Sequence, residues 1–308
     1  MAIPQTSSNT MVPLHLSGNM TASQELQLQE MLYGAVQSAY PAILEQLDQQ
    51  SAQTVLDGER KLSKEVADLL IAAVERHTAS DKFINEEVDS SRVYPSNYKI
   101  RPIEAQVTNL SKIFPKLGQC HERLARRPAM EGSEGWFAIP RWEALASTYN
   151  EAVELVIDAI ASKRRLSNRV IGKMNEKFLR QSERTKLAFK ILAEQQEGND
   201  ILVVGAQFGL LHRGSSARRT RVALAGNEFC LNSFAIGCML LTHPERLSTS
   251  QTLMIDCGGD EYSVRGDYSF DRVPLFDYDI GGIDYSIFYE DRARNLWGTP
   301  TAFLYKLV

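Results

Sequence analysis

Along much of the 308-residue chain, apolar positions recur three and four residues apart, and short β-branched runs replace that rhythm toward the C-terminal end. From residue 22, Leu28, Met31, Leu32, Ala35, Val36 and Ala39 fall on one face of a 3.6-residue period, which predicts an amphipathic helix. Pro41 predicts its break, or the first turn of a new helix, because the ring cannot join the hydrogen-bonded ladder. A second helix is expected after Ser63, a capping residue with Glu65 in the first turn, burying Val66, Leu69, Leu70, Ala73 and Val74. Residues 88–103 contain Pro95, Pro102 and clustered Ser, Asp and Asn, which reads as a connector to a helix near 104–114. Tyr149, Ala152, Val153, Val156, Ile157 and Ile160 repeat the helical spacing most clearly, and a further helix is expected over about 175–193.

The remainder follows a different period. ILVV at 201–204 and TLMI at 252–255 predict buried strands. Two aromatic, partly alternating runs at 268–279 and 283–291 flank Gly281-Gly282 and predict a hairpin, and TAFLYKLV at 301–308 predicts a last strand. The run FCLNSFAIGCMLL at 229–241 is too short to span a bilayer and is read as core, so no membrane partner is expected. Helices first and strands later define an α+β fold: a helical N-terminal unit, then a mixed α/β C-terminal domain with a small, largely antiparallel sheet. Gly132, Gly135 and Pro140 mark a junction, giving a polar tail at 1–21, a helical domain at 22–130 and an α+β domain at 131–308.

Composition narrows the function classes. The N-terminus lacks the charged and apolar regions of a secretory signal, and Cys120, Cys230, Cys238 and Cys257 form no C-x-x-C pair, so reduced thiols in a cytoplasm are expected. A net charge of −4 argues against a generally basic protein. The charge is unevenly spread, however. Residues 163–221 carry 14 Lys/Arg against 5 Asp/Glu, between flanks with 14 against 21 and 6 against 12.

Within that basic middle, HRGSSARRTR at 212–221 suits an anion. Arg213, Arg218, Arg219 and Arg221 offer planar forks that bond two oxygens at once, with His212 beside them and Gly214-Ser215 letting backbone approach. Lys163, Arg164 and Arg165 extend the positive charge. The competing expectation is that these arginines coat a solvated helix or pair with the ten acids between 256 and 291. No P-loop pattern is present.

A second constellation, IDCGGDEY at 255–262, places Asp256, Asp260 and Glu261 around a Gly-Gly turn at a strand end, where a divalent cation such as Mg²⁺ could find oxygen ligands; the competing expectation is a solvated turn. Cys238 is read as an inert core thiol, and Asp256 beside Cys257 raises a thiol pKa, so neither reads as a nucleophile for His212 or His243. His243 is read as a capping or packing residue at an element stopped by Pro244. Trp136 and Trp142 suit either a stacking platform for bases or packing at a domain seam.

Four ordered blocks, WFAIPRWE (136–143), DILVVGAQFGLLHRG (200–214), NEFCLNSFAIGCMLLTHPERL (227–247) and MIDCGGDEYS (254–263), resemble a group of uncharacterised conserved bacterial proteins from uncultured small-genome bacteria. The resemblance covers roughly residues 90–270, with Ser215 where the group has Arg and Met254 where it has Trp. It implies a bacterial origin and carries no activity with it. The sequence therefore predicts a cytoplasmic binding or accessory protein that engages nucleic acid or another polyanion through its basic middle. The alternatives are a metal-assisted hydrolase or phosphoryl-processing enzyme built on the acids near 256, and a structural partner in an assembly.

Overall fold

The computed structural model describes residues 22–45, 47–58, 82–279 and 281–305, with a few more between 62 and 70. The tail at 1–21 and most of the helix expected after Ser63 lie outside these residues; of its expected core, Val66 is exposed and Leu70 half-buried. The chain divides into two compact units between Ala72 and Ala73.

In the first unit, helix α1 spans Ala22–Leu44 and α2 spans Gln49–Asp57. Asp48 caps α2 by accepting the Ser51 N–H at 2.7 Å. Pro41 does not break α1. The helix continues, and Glu45 N–H still donates to the Pro41 carbonyl, so the ladder forgoes only the donor that proline lacks. The expected apolar stripe is largely open to solvent: Met31, Ala35, Val36 and Ala39 are exposed, while Leu28 and Leu32 are half-buried.

The second unit is α+β. Its helices are α3 (Ile103–Ile113), α4 (Tyr149–Ala161), α5 (Glu183–Gln195), α6 (Ala217–Ala223) and α7 (Ser233–Thr242). The junction expected at residue 131 falls inside this unit, because α3 packs on the first strand and on α7. Instead of one small sheet there are two. The strands β1 (Gly135–Pro140), β4 (Ile201–Gln207), β5 (Glu228–Cys230) and β11 (Thr301–Phe303) form an antiparallel sheet in the order β1-β4-β11-β5.

The second sheet has seven strands. Those named along its path are β3 (Leu179–Gln181), β6 (Met254–Asp256), β7 (Asp260–Tyr262), β8 (Arg272–Asp279) and β10 (Trp297–Gly298), with β2 (Leu166–Asn168) and β9 (Gly282–Tyr289) joined through β8. Its β10–β6 and β2–β9 pairs are parallel and the others antiparallel, so it is mixed. The hairpin β8–β9 closes with Asp279 opposite Gly282, and Gly281 takes the positive φ of 76° that the turn requires.

The core follows the periodicity. Every α4 residue expected inside is buried, and a capping box between Thr148 and Glu151 starts the helix. Helix α7, from the longest apolar run, is buried on all sides among α3, α4 and β1. Gly237 lets it meet α4 closely, since a Cβ there would overlap Val156 Cγ1. The helix expected over 175–193 is instead β3 followed by α5: Ser182 caps α5, and the residues before it pair with β7. Among the described residues, no helix is long and apolar enough to cross a membrane.

Candidate functional site

The basic stretch at 212–221 folds as a turn with two isolated bridges followed by α6, and its cations are engaged internally. Arg218 pairs with Glu86, Arg219 Nε lies 2.5 Å from Glu87 Oε1, and Arg221 pairs with Glu290 while also donating to the carbonyls of Gly258 and Asp260. His212 Nε2 lies 2.7 Å from Glu228 Oε1. Burial acts to raise the Glu228 carboxyl, but the contacts with His212, Thr301 and Ala225 N–H outweigh it and leave the group below its ordinary value. Only Glu290 belongs to the acidic stretch at 256–291; Glu86 and Glu87 come from the connector side. Gly214 does not offer its backbone to an anion: its N–H donates to Trp297 O and its carbonyl accepts from Val88.

The supporting cations serve other segments. Arg164 donates to the carbonyls of Pro244 and Leu247, Arg165 packs against Gly282, and Lys163 is exposed. The basic middle is therefore not one continuous patch of unpaired charge.

The three expected metal ligands are separated. Asp260 and Glu261 are consecutive on β7, so their side chains leave opposite faces of the strand. Asp260 is fully buried and accepts the Tyr149 hydroxyl and the Ser233 N–H, both at 2.7 Å. Glu261 pairs with Arg180, and Asp256 with Arg294. Burial raises both Asp256 and Asp260 to about 6, against the pull of Arg294 on the first and of Ser233, Tyr149 and Arg221 on the second. Among the described residues, no group of three or more His, Cys, Asp or Glu side chains is arranged to hold a metal ion. The expected divalent-cation site is thus replaced by three separate carboxylate contacts.

Cys230, Cys238 and Cys257 are buried, and Cys120 is half-buried. Burial pushes Cys120 and Cys230 up to about 12 and raises Cys238 and Cys257 as well, as expected for unreactive cysteines. His243 follows the last residue of α7. It is buried, its Nε2 accepts the Arg101 N–H at 3.1 Å, and burial lowers it to about 4.

A place where a ligand could enter was not legible in those motifs. An open cleft of about 530 Å³ lies along α5, a volume within the usual range for small-molecule sites. Lys186, Phe189, Lys190, Ala193 and Glu194 line it, spaced 3, 1, 3 and 1, so a single helical stripe forms one wall, and Glu197 follows in the turn after the helix. That stripe runs about 12 Å at the helical rise per residue. Trp142, Phe234, Pro140 and Leu202 supply apolar surface.

At one end, Asn232 Nδ2 donates to Gln181 Oε1 at 3.0 Å, beside Lys186. This amide pair is held from behind by the buried Asp260, which fixes the first turn of α7 through Ser233. At the other end stand Arg141, Glu194 and Glu197. Trp142 is half-buried and meets Tyr149 edge-on with centroids 6.3 Å apart, so packing holds it at the cleft. Trp136 does not join it: its Nε1–H donates to Arg127 O and its ring packs against Tyr305. The pair is therefore not a two-tryptophan platform. The 3-1-3-1 stripe of α5 was present in the sequence, but its mixture of Lys, Phe and Glu reads as an ordinary surface helix until the rest of the cleft is known.

No protein-family model, curated protein or solved structure matches the chain.

Proposed function

We propose that this chain is a binding protein for a small organic anion with a flat apolar body, of the size and chemistry of a nucleotide unit, taken in the α5 cleft. The observation that carries this reading is that Lys186, Lys190, Phe189 and Trp142 all line one cleft. An aromatic base gains from stacking on Trp or Phe, and a phosphate gains from lysine ammonium groups as point charges. The amides of Gln181 and Asn232 add neutral hydrogen-bonding groups at the Lys186 end, and Glu194 and Glu197 can accept from amino groups at the other. The contribution of the basic middle to binding in this conformation thus passes from Arg218, Arg219 and Arg221, which are paired with acids, to the lysines of α5, while the exposed Arg213 donates to the Arg92 carbonyl. Lys190 is shared with Glu194 at 3.9 Å, a loose exposed contact that a phosphate can displace.

Calorimetric titration with adenosine monophosphate, adenosine and inorganic phosphate tests this. The monophosphate should bind more tightly than either fragment. Trp142→Ala should weaken it by about 1–3 kcal/mol, the usual worth of a base–aromatic stack. Lys186→Ala/Lys190→Ala should weaken the monophosphate but leave adenosine unchanged. Equal affinities for all three proteins, or no binding by a folded wild type, would refute the reading.

A further inference from the structure

The pairing of Arg218 and Arg219 with Glu86 and Glu87 has a geometry of its own. The Glu86 carboxylate accepts the Ser216 hydroxyl at 2.7 Å and the Arg218 Nε–H at 3.3 Å, and its other oxygen meets Arg218 Nη2. The Glu86 carbonyl accepts the Ser216 N–H at 3.0 Å. Next to it, Glu87 takes the Arg219 Nε–H and the Lys82 carbonyl takes Arg219 Nη1–H. A hydroxyl, a backbone N–H and a guanidinium fork thus converge on one segment, 82–88. The same donors, aimed at one oxyanion, suit a phosphoryl group, whose larger charge and three acceptor oxygens use the fork more fully than a carboxylate does.

Segment 82–88 is attached by polar contacts. Besides the bonds above, Val88 N–H donates to Gly214 O at 2.9 Å. Its aliphatic side chains point away from the core, with Ile84 57% and Val88 43% exposed. Phe83 lies under the Arg218 guanidinium at 4.2 Å and holds a left-handed φ of 62°, a conformation unfavourable for a bulky residue. Lifting the segment therefore removes little aliphatic surface from the interior; what must be replaced is mainly charge pairing and hydrogen bonding, which an incoming anion brings with it.

We propose that Ser216 and Arg218, with Arg219 beside them, form a phosphoryl-binding cradle occupied in this conformation by the chain's own Glu86, and that segment 82–88 is the strap that covers it. This site is separate from the α5 cleft, and either assignment stands or falls without the other.

The test compares wild type with Glu86→Gln/Glu87→Gln, and with the same variant carrying Arg218→Ala. Binding of inorganic pyrophosphate is followed by calorimetry and binding of a labelled single-stranded oligonucleotide by anisotropy. The double variant, which keeps the strap's shape but not its charge, should bind at least one probe about tenfold tighter than wild type, and Arg218→Ala should abolish the gain. Gain for pyrophosphate assigns the cradle to a single phosphoryl group. Gain for the oligonucleotide alone assigns it to phosphates carried on a polymer. A folded double variant that binds neither probe better than wild type, or a gain that survives Arg218→Ala, overturns the proposal. Should the double variant not fold, hydrogen exchange on the wild type decides: saturating pyrophosphate should speed exchange of the Val88 amide, and unchanged protection overturns the proposal.

Discussion

Tyr149→Phe removes one oxygen from the buried contact behind the cleft and leaves the ring, so almost no cavity forms. The hydroxyl donates to Asp260 Oδ1 at 2.7 Å, and Asp260 is fully buried with its carboxyl raised to about 6. The cost of losing this donor must depend on whether Asp260 is charged. Near pH 8 the lost bond is charge-assisted and worth about 1.5–3 kcal/mol, whereas near pH 5 the acid is protonated and the loss falls to about 0.5–1.5 kcal/mol. A difference of about 1.4 kcal/mol corresponds to a further rise of about one pH unit in the carboxyl of the variant.

The sign follows from proton uptake. Because the native carboxyl is raised from 3.8 to about 6, the folded state holds a proton in that window that the unfolded chain has released. Its contribution to stability therefore falls as pH rises from about 4 to 6 in the wild type and keeps falling to about 7 in the variant. Urea unfolding followed by circular dichroism at about pH 5, 6, 7 and 8 should show the two stability curves parting between pH 5 and 7. If the variant is destabilised by the same amount at pH 5 and pH 8, Tyr149 is not bonded to an ionising Asp260 and the account of the amide end of the cleft is wrong.

Three further outcomes are expected. Gly237→Ala forces a methyl group against Val156 at the α4–α7 crossing and should cost about 1–3 kcal/mol in urea unfolding, with Val156→Ala in the same chain recovering part of it. His243 is lowered by burial from 6.5 to about 4, so its ring-proton NMR shift should stay constant from pH 7 to 5; this histidine's contribution to stability should fade as pH drops from 6.5 through 4, and His243→Gln should flatten that part of the profile. A thiol reagent should leave Cys230, Cys238 and Cys257 unmodified in the native protein and react with all four cysteines after unfolding; rapid native labelling of the buried three would contradict their packing.

Local physics was legible where the burying face and the capping residues lie within one segment. Helix α4 is the clearest case: Tyr149 to Ile160 name the buried stripe and Thr148 with Glu151 begins it. The β8–β9 hairpin was readable from two alternating runs around Gly281-Gly282, since turn chemistry is also local. The start of α5 was misplaced because residues 179–181 extend to pair with β7, about eighty residues away, and that pairing overrides local preference. The division of the chain moved from 131 to 72/73 for a similar reason. Glycines and prolines around β1 suggest a linker, yet β1 is locked to β4 and α3 rests on it.

Sequence alone thus determined the α+β class, the core stripe of α4, the buried character of the 229–241 run and the uneven distribution of charge. It could not decide what the charges face. Arg218 and Arg219 meet acids more than 130 positions earlier in the chain, and Asp256, Asp260 and Glu261, close in sequence, diverge because strand geometry sends neighbouring side chains to opposite faces. The cleft likewise exists only where α5 comes together with Trp142, Leu202, Asn232 and Phe234. Helical and strand periods are properties of consecutive residues, whereas pairing, burial and concavity are properties of segments brought together, and only the tertiary structure sets those.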